Sequence, residues 1–192
     1  MQSAEELYMS LGIRSVSMDD IATSLGISKK TIYKYFKDKA DLISQVAVKM
    51  LAEDESCFQS IEQESQDPID EMHRFLDHAR ESITRMHPSI VFDIKKFYPK
   101  TWEAIEGFHD NSIKARFANN LVQGVTDGLY RQDIKADILS KLLYHEFEFT
   151  FDPRFFNLTE YKPIEVYNEL LKHFFMGILT EKGKKLYDQY EK

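Results

Sequence analysis

Between Ser28 and Lys39 the chain sets five lysines against one aspartate, a local charge of +4, and interleaves them with Ser28, Thr31, Tyr33 and Tyr35. Lys29, Lys30, Thr31, Tyr33 and Lys34 are left pointing outward once Ile32, Tyr35 and Phe36 are assigned to one helix face, and Lys37 and Lys39 follow just beyond. Ammonium groups neutralise phosphates, a hydroxyl or a helix-start N–H bonds a phosphate oxygen, and side chains in a first helical turn reach base edges in the major groove. This is the chemistry of nucleic-acid recognition. Residues 1–50 hold seven positive against six negative side chains, so the other 142 residues hold a net −8 of the total −7. An acidic body with one small basic element suits a protein that touches DNA there and repels it elsewhere.

Two short helices must position these groups. Ile21, Ala22 and Leu25 recur at the spacing of one helix face, and Ile32, Tyr35 and Phe36 repeat it on the next segment. Gly26 separates the two, as a turn with positive φ requires, and Ala22 is small enough for a close crossing. Ser17 and Ser28 stand where each helix needs an N-cap.

The run SMDDIATSLGISKKTIYKYFKDKADL, Ser17 to Leu42, resembles the N-terminal DNA-binding domain of the tetracycline-repressor (TetR/AcrR) family. The resemblance rests on the serine before the first helix of the motif, the Ile-Ala pair, the Leu-Gly-Ile turn, the Ser-Lys-x-Thr-Ile-Tyr-x-Tyr-Phe helix and the Lys-x-x-Leu that opens a fourth helix. It is strong over residues 2–45 and beyond that extends only to the layout. It implies an all-α fold: residues 1–45 form a three-helix helix-turn-helix DNA-binding domain, and residues 46–192 a helical effector-binding and dimerisation domain. It further implies a homodimeric transcriptional repressor on a palindromic double-stranded operator. Transferred by position, Ser28, Lys29, Lys30 and Thr31 lie near base edges, and Tyr33 and Lys39 at phosphates. Tyr35 occupies a packing position with a hydroxyl at the phosphate backbone, and Phe36 belongs to the core. Ser17 is a cap that also meets a phosphate where its helix start faces DNA. Lys30 departs from the small residue many relatives carry. Met1-Gln2-Ser3 leads straight into the first helix, without the basic arm usual in the family.

Composition agrees with this outline. A 192-residue chain with 43% hydrophobic residues accommodates a small domain and a second with its own core. No apolar run reaches the ~20 residues a bilayer needs, and the opening lacks a secretory signal, which places the chain in the cytoplasm. The lone Cys57 forms no internal disulfide and fits a reducing compartment as a half-buried structural thiol.

Beyond Lys39 every segment is helical in pattern. Leu42, Ile43, Val46, Met50, Leu51, Phe58 and Ile61 mark one long helix capped by Asp38. Asp67-Pro68 opens a helix that ends before Pro88. A short segment from Ser89 to Tyr98 precedes a helix from Pro99 to about Gly124, with Gly124 and Gly128 serving its closing turn. Further helices span the region after Lys135 to about Thr150, Pro163 to Thr180, and Glu181 to Lys192. Leu139 and Leu143, with Leu170, Leu171, Phe174, Phe175 and Ile178, exceed what one core covers, so a second copy is expected to bury them in a four-helix bundle. Phe92, Phe97, Trp102, Phe117, Tyr144 and Phe147 are the candidates for an effector pocket suited to an apolar or planar ligand.

Catalysis and metal binding find no support. His73 and His78 are five apart, the wrong spacing for one helix face, and His87, His109, His145 and His173 lie in separate segments. No nucleophile elbow, His-Glu-x-x-His, phosphate loop or paired-cysteine site occurs, so neither an enzyme nor a cofactor is expected. The reading is a ligand-released repressor. Its alternatives are an activator, an effector-independent regulator, and a helical small-molecule-binding protein or enzyme.

Overall fold

The computed structural model describes residues 1–157 and 159–190. Eleven α-helices are found among them: α1 (Gln2–Leu11), α2 (Met18–Ser24), α3 (Lys29–Ile32), α4 (Lys39–Glu64), α5 (Pro68–Arg85), α6 (Ile90–Phe97), α7 (Pro99–Phe108), α8 (Lys114–Thr126), α9 (Ala136–Phe149), α10 (Pro163–Ile178) and α11 (Glu181–Tyr190). A π-helical turn, His109–Ile113, joins α7 to α8. The only β-type pairing among the described residues is an isolated bridge between Tyr130 and Leu179, so the fold is all-α. No helix among these residues is long and apolar enough to cross a membrane, and no cluster of three metal-ligating side chains occurs.

The caps read from the sequence are made. Ser17 Oγ accepts from Asp20 N (3.1 Å) while Ser17 N donates to Asp20 Oδ2 (2.7 Å), a reciprocal capping box. Ser28 Oγ accepts from Thr31 N at 3.1 Å, Asp38 Oδ1 from Asp41 N at 2.8 Å, and Asp67 Oδ1 from Ile69 N at 2.8 Å. The segment from Ser89 to Tyr98 is itself a helix, α6, and the single helix expected from Pro99 to Gly124 is divided by the π-helical turn.

Two compact units are present. Met1–Asp54 and Arg85–Gly107 form the first; Glu55–Thr84 and Phe108–Lys192 form the second. A single boundary after residue 45 does not produce this partition, because α6 contributes Ile90 to the buried core made by α1–α4 and seats Ile94 and Tyr98 against it. That core contains Ala4, Tyr8, Ile21, Ile32, Leu42 and Val46. His87 N also donates to Met9 O at 2.7 Å, so the segment entering α6 is hydrogen-bonded to α1.

The second unit is organised around buried aromatic and polar groups. Tyr130 donates to Pro68 O (3.0 Å) and Asn120 Oδ1 (3.1 Å), while Asn120 Nδ2 donates to Pro68 O (2.8 Å) and Glu71 Oε2 (2.8 Å). Gly124 is not a turn glycine: it lies within α8, where a Cβ would sit 2.1 Å from the Tyr130 ring. Gly128, at φ +70°, does serve the turn. Arg116 bonds Glu55 (2.7 Å), Glu62 (2.9 Å) and Ser112, joining α8 to the end of α4 and to the π-helical turn. The guanidinium and Ser112 hold the Glu55 carboxyl down at about 2.

Candidate nucleic-acid interface

α2, the Gly26 turn and α3 present the basic residues. Gly26 has φ +65°, a conformation that favours glycine, and Ile21 and Ala22 are buried where α2 meets the core. Ile32 anchors α3 from below, leaving Ser28, Lys29, Lys30, Tyr33 and Lys34 exposed and Thr31 half-buried. These six residues are therefore accessible to solvent in whole or in part. Ser28 and Thr31 are coupled, their hydroxyls 2.9 Å apart.

Two aromatic and aliphatic assignments change. Leu25, expected on the buried face, is 45% exposed, and Tyr35, expected to pack, is 74% exposed. α3 ends at Ile32, and the chain then tightens: Lys34 N bonds Thr31 O (3.3 Å) and Tyr35 N bonds Ile32 O (2.9 Å). These shorter-range bonds shift the side chains off a 3.6-residue period, turning Tyr35 outward and Phe36 against the core.

Electrostatics separates the lysines. Lys29 Nζ pairs with exposed Asp19 at 2.7 Å, which raises its pKa and leaves its side chain 45% exposed. Lys39 Nζ donates to Ile13 O at 2.6 Å, and burial holds its pKa below the usual lysine range despite attraction from Asp93 and Asp20. That bond ties the start of α4 to the turn after α1, so Lys39 has a structural task at the position expected for a phosphate contact. Ser17 has both its N–H and its Oγ–H directed to Asp20.

The aromatic effector candidates divide between the units. Phe92, Phe97 and Trp102 belong to the first, where Arg14 Cζ lies 4.9 Å from the Phe97 ring centre and Lys96 Nζ 5.2 Å from that of Phe92. Lys95 Nζ lies 4.4 Å from the Trp102 ring centre. Phe117, Tyr144 and Phe147 belong to the second unit. Tyr144 OH lies 2.7 Å from His109 Nδ1 of the π-helical turn, and the Phe147 ring is 5.6 Å from Phe151.

The expected dimer set is also redistributed. Leu143, Leu171, Phe174, Phe175 and Ile178 are buried within the protomer, and Leu139 and Leu170 are half-buried. The stripes are covered by the unit's own elements, as Phe175 against Tyr187 (4.6 Å) and Tyr167 OH on Leu76 O (3.2 Å) illustrate. Ile138, Leu142 and Phe149 of α9 and Met176 of α10 are the large apolar side chains left exposed on these two helices. Glu146, between them in sequence, carries a buried Oε2 without a hydrogen-bond partner, and burial raises its carboxyl to about 7.

Comparison with known proteins places this geometry. Residues 1–46 match the family of bacterial regulatory proteins described as the tetR family. An HTH-type transcriptional regulator of Bacillus subtilis (strain 168), YvaF, is 23% identical over 172 residues, 87% of each chain. The HTH-type transcriptional repressor KstR2 of Mycolicibacterium smegmatis (strain ATCC 700084 / mc(2)155) is 22% identical over 146 residues, 74% of this chain and 71% of that protein. A crystal structure of a TetR-family regulator from Agrobacterium tumefaciens superposes with a TM-score of 0.75 at 17% identity, covering 93% of this chain and 95% of that one.

Proposed function

Because this chain is a DNA-binding transcriptional regulator of the tetR family, we propose that it acts in the cytoplasm as a homodimeric repressor released from a palindromic operator by a small apolar or aromatic ligand. The observation that carries the DNA part is the surface of α3: Lys29, Lys30, Tyr33 and Lys34 are exposed around a buried Ile32. Ser28, Lys29, Lys30 and Thr31 read bases, while Tyr33, Lys34 and Tyr35 meet phosphates and Ser17, with both donors held by Asp20, serves as the cap of α2. Lys39 acts by holding the start of α4 in place. The name of the mycobacterial relative, a repressor, favours repression over activation.

A second copy of the chain covers Ile138, Leu142 and Phe149 on α9 and Met176 on α10, and the dimer sets two copies of α3 on half-sites one duplex turn or a multiple apart. The effector meets the second unit near Phe117, Tyr144 and Phe147, where the π-helical turn and its His109–Tyr144 bond lie; π-turns of this kind recur at functional sites. A ligand acts to the extent that its affinity differs between the two states, about 1–3 kcal/mol in common cases. The reading gives the chain no catalytic step.

The test is duplex binding by the full-length protein across a salt series. Binding should weaken as salt rises, and Lys29→Ala and Tyr33→Phe should each weaken it further. Indifference to salt and to both substitutions would favour the small-molecule-binding alternative. Sedimentation as a monomer at micromolar concentration would contradict the dimer.

A further inference from the structure

We propose that the turn after α1, the end of α6 and the start of α7 form a second contact with the phosphate backbone, in which Arg14, Lys96 and Lys100 extend the DNA footprint beyond α3. The proposal rests on the DNA-binding reading above and concerns a surface that reading leaves out.

Charge is the first argument. The segment Arg85–Gly107 brings four cations to the first unit, Arg85, Lys95, Lys96 and Lys100, and gives that unit eleven positive and eleven negative side chains. The second unit holds the whole excess of −7. The one carboxylate on α6, Asp93, is buried at 3% exposure and accepts from Ser89 Oγ at 3.1 Å, so the charged side chains that α6 itself exposes are Lys95 and Lys96. Glu103 and Glu106 are exposed further along, on α7.

Geometry is the second. Arg14 and Lys96 come from different segments and converge on one ring, 4.9 Å and 5.4 Å from the centre of Phe97, while Lys96 also lies 5.2 Å from that of Phe92. Phe97 and Phe92 are 42% and 47% exposed. A ring face steadies a cation at an exposed site and leaves its charge intact. Arg14, Lys96 and Lys100 form no ion pair among the described residues and are exposed. The result is a set of exposed cations, two of them, Arg14 and Lys96, seated on aromatic rings.

Position is the third. Arg14 stands three residues before Ser17, a span of at most about 10 Å of chain, and beside Ile13, whose carbonyl receives Lys39 Nζ. The patch thus adjoins the edge of the unit formed by the start of α2 and the start of α4. α6 shares one core with α1–α4 through Ile90, so the patch and α3 belong to one compact unit. A polyanion reaching that edge meets these cations next, and the polyanion already there is the operator DNA.

The test uses the full-length protein and a duplex it has selected from a random pool, prepared with long flanks and trimmed to the selected sequence. Arg14→Gln/Lys96→Gln should flatten the slope of log K against log salt by about 3.6, since each phosphate contributes about 0.9 and the dimer brings two copies of each cation, and weaken the long duplex at least about tenfold near physiological salt. Sequence preference should stay as it was. Trimming the flanks should bring the unsubstituted protein down to the level of the variant and leave the variant where it was. Lys141→Gln/Lys184→Gln, on the second unit, should keep the original slope. A wild-type slope in Arg14→Gln/Lys96→Gln, or an equal loss on both duplexes, would overturn the proposal while leaving the DNA-binding reading intact. Failure of the unsubstituted protein to bind any duplex would overturn both.

Discussion

Ser17 and Ser28 in the first unit close their hydrogen bonds three residues along the chain, whereas Asn120 and Tyr130 in the second reach Pro68 across 52 and 62 residues. The glycines differ in the same way. Gly26 is needed for its φ of +65° and has nothing within 4 Å of where a Cβ would be, while Gly124 is needed because the Tyr130 ring occupies that place. The first unit shows that a small DNA-binding head is specified by local rules of capping and turn geometry. The second shows that a helical body depends on partners that only the tertiary fold brings together.

The two glycines give the largest expected contrast. Gly124→Ala forces a methyl against a ring whose hydroxyl is fixed by two hydrogen bonds, and should destabilise the protein by about 3 kcal/mol, lowering Tm by roughly 6–12 °C. Gly26→Ala meets only the left-handed backbone penalty, about 1–2 kcal/mol. Thermal melts in which Gly26→Ala proves the more damaging would break the comparison.

Next in size is the pH response of the second unit. Burial lifts Glu146 to about 7, from an ordinary carboxyl value of 4.5, and its Oε2 is unpartnered. The folded state therefore keeps the proton more tightly than the unfolded chain. Its contribution is fully present below about pH 4.5 and is lost as pH rises through about 7. Glu146→Gln should raise Tm by a few degrees at pH 8 and hardly change it at pH 5. Glu55 has the opposite sign: held at about 2 by Arg116 and Ser112, it stabilises above its ordinary value of 4.5 and loses that effect as pH falls toward 2. An unchanged pH profile in Glu146→Gln would show that the carboxylate is solvated.

Smaller effects are expected in the first unit. Ser17→Ala removes one side of the capping box and should reduce stability by about 1 kcal/mol, read by chemical denaturation. Tyr8 is buried with an unpartnered hydroxyl, so Tyr8→Phe should leave stability within about 0.5 kcal/mol or raise it. A loss of more than 1 kcal/mol would reveal a bond to that hydroxyl.

This contrast also explains what was legible in the sequence. The caps at Ser17, Ser28, Asp38 and Asp67, the long α4 and the Gly26 turn all follow from residues a few positions apart, and each is present in the structure. Tyr35 departs from the packing position its spacing predicts because α3 stops after four residues, a shortening that periodicity does not register. In the body, the stripe of Leu143, Leu171, Phe174, Phe175 and Ile178 announced burial but not its partner, which proved to be the same chain. Composition alone marks Phe92 and Phe97 as pocket candidates. Their place beside Arg14 depends on α6 packing against the core of α1–α4, which Ile90 and Ile94 permit without declaring.

The central claim is that α3 reads a specific DNA sequence in two symmetric copies. Its most direct test is selection from a random duplex pool by the purified protein at near-physiological salt, repeated with Lys30→Ala. Enrichment of a palindrome, with Lys30→Ala changing the preferred base at matching positions of both half-sites, is the predicted result. No enrichment, or the same palindrome with the same preferences in both proteins, would contradict the assignment of α3 as the reading element.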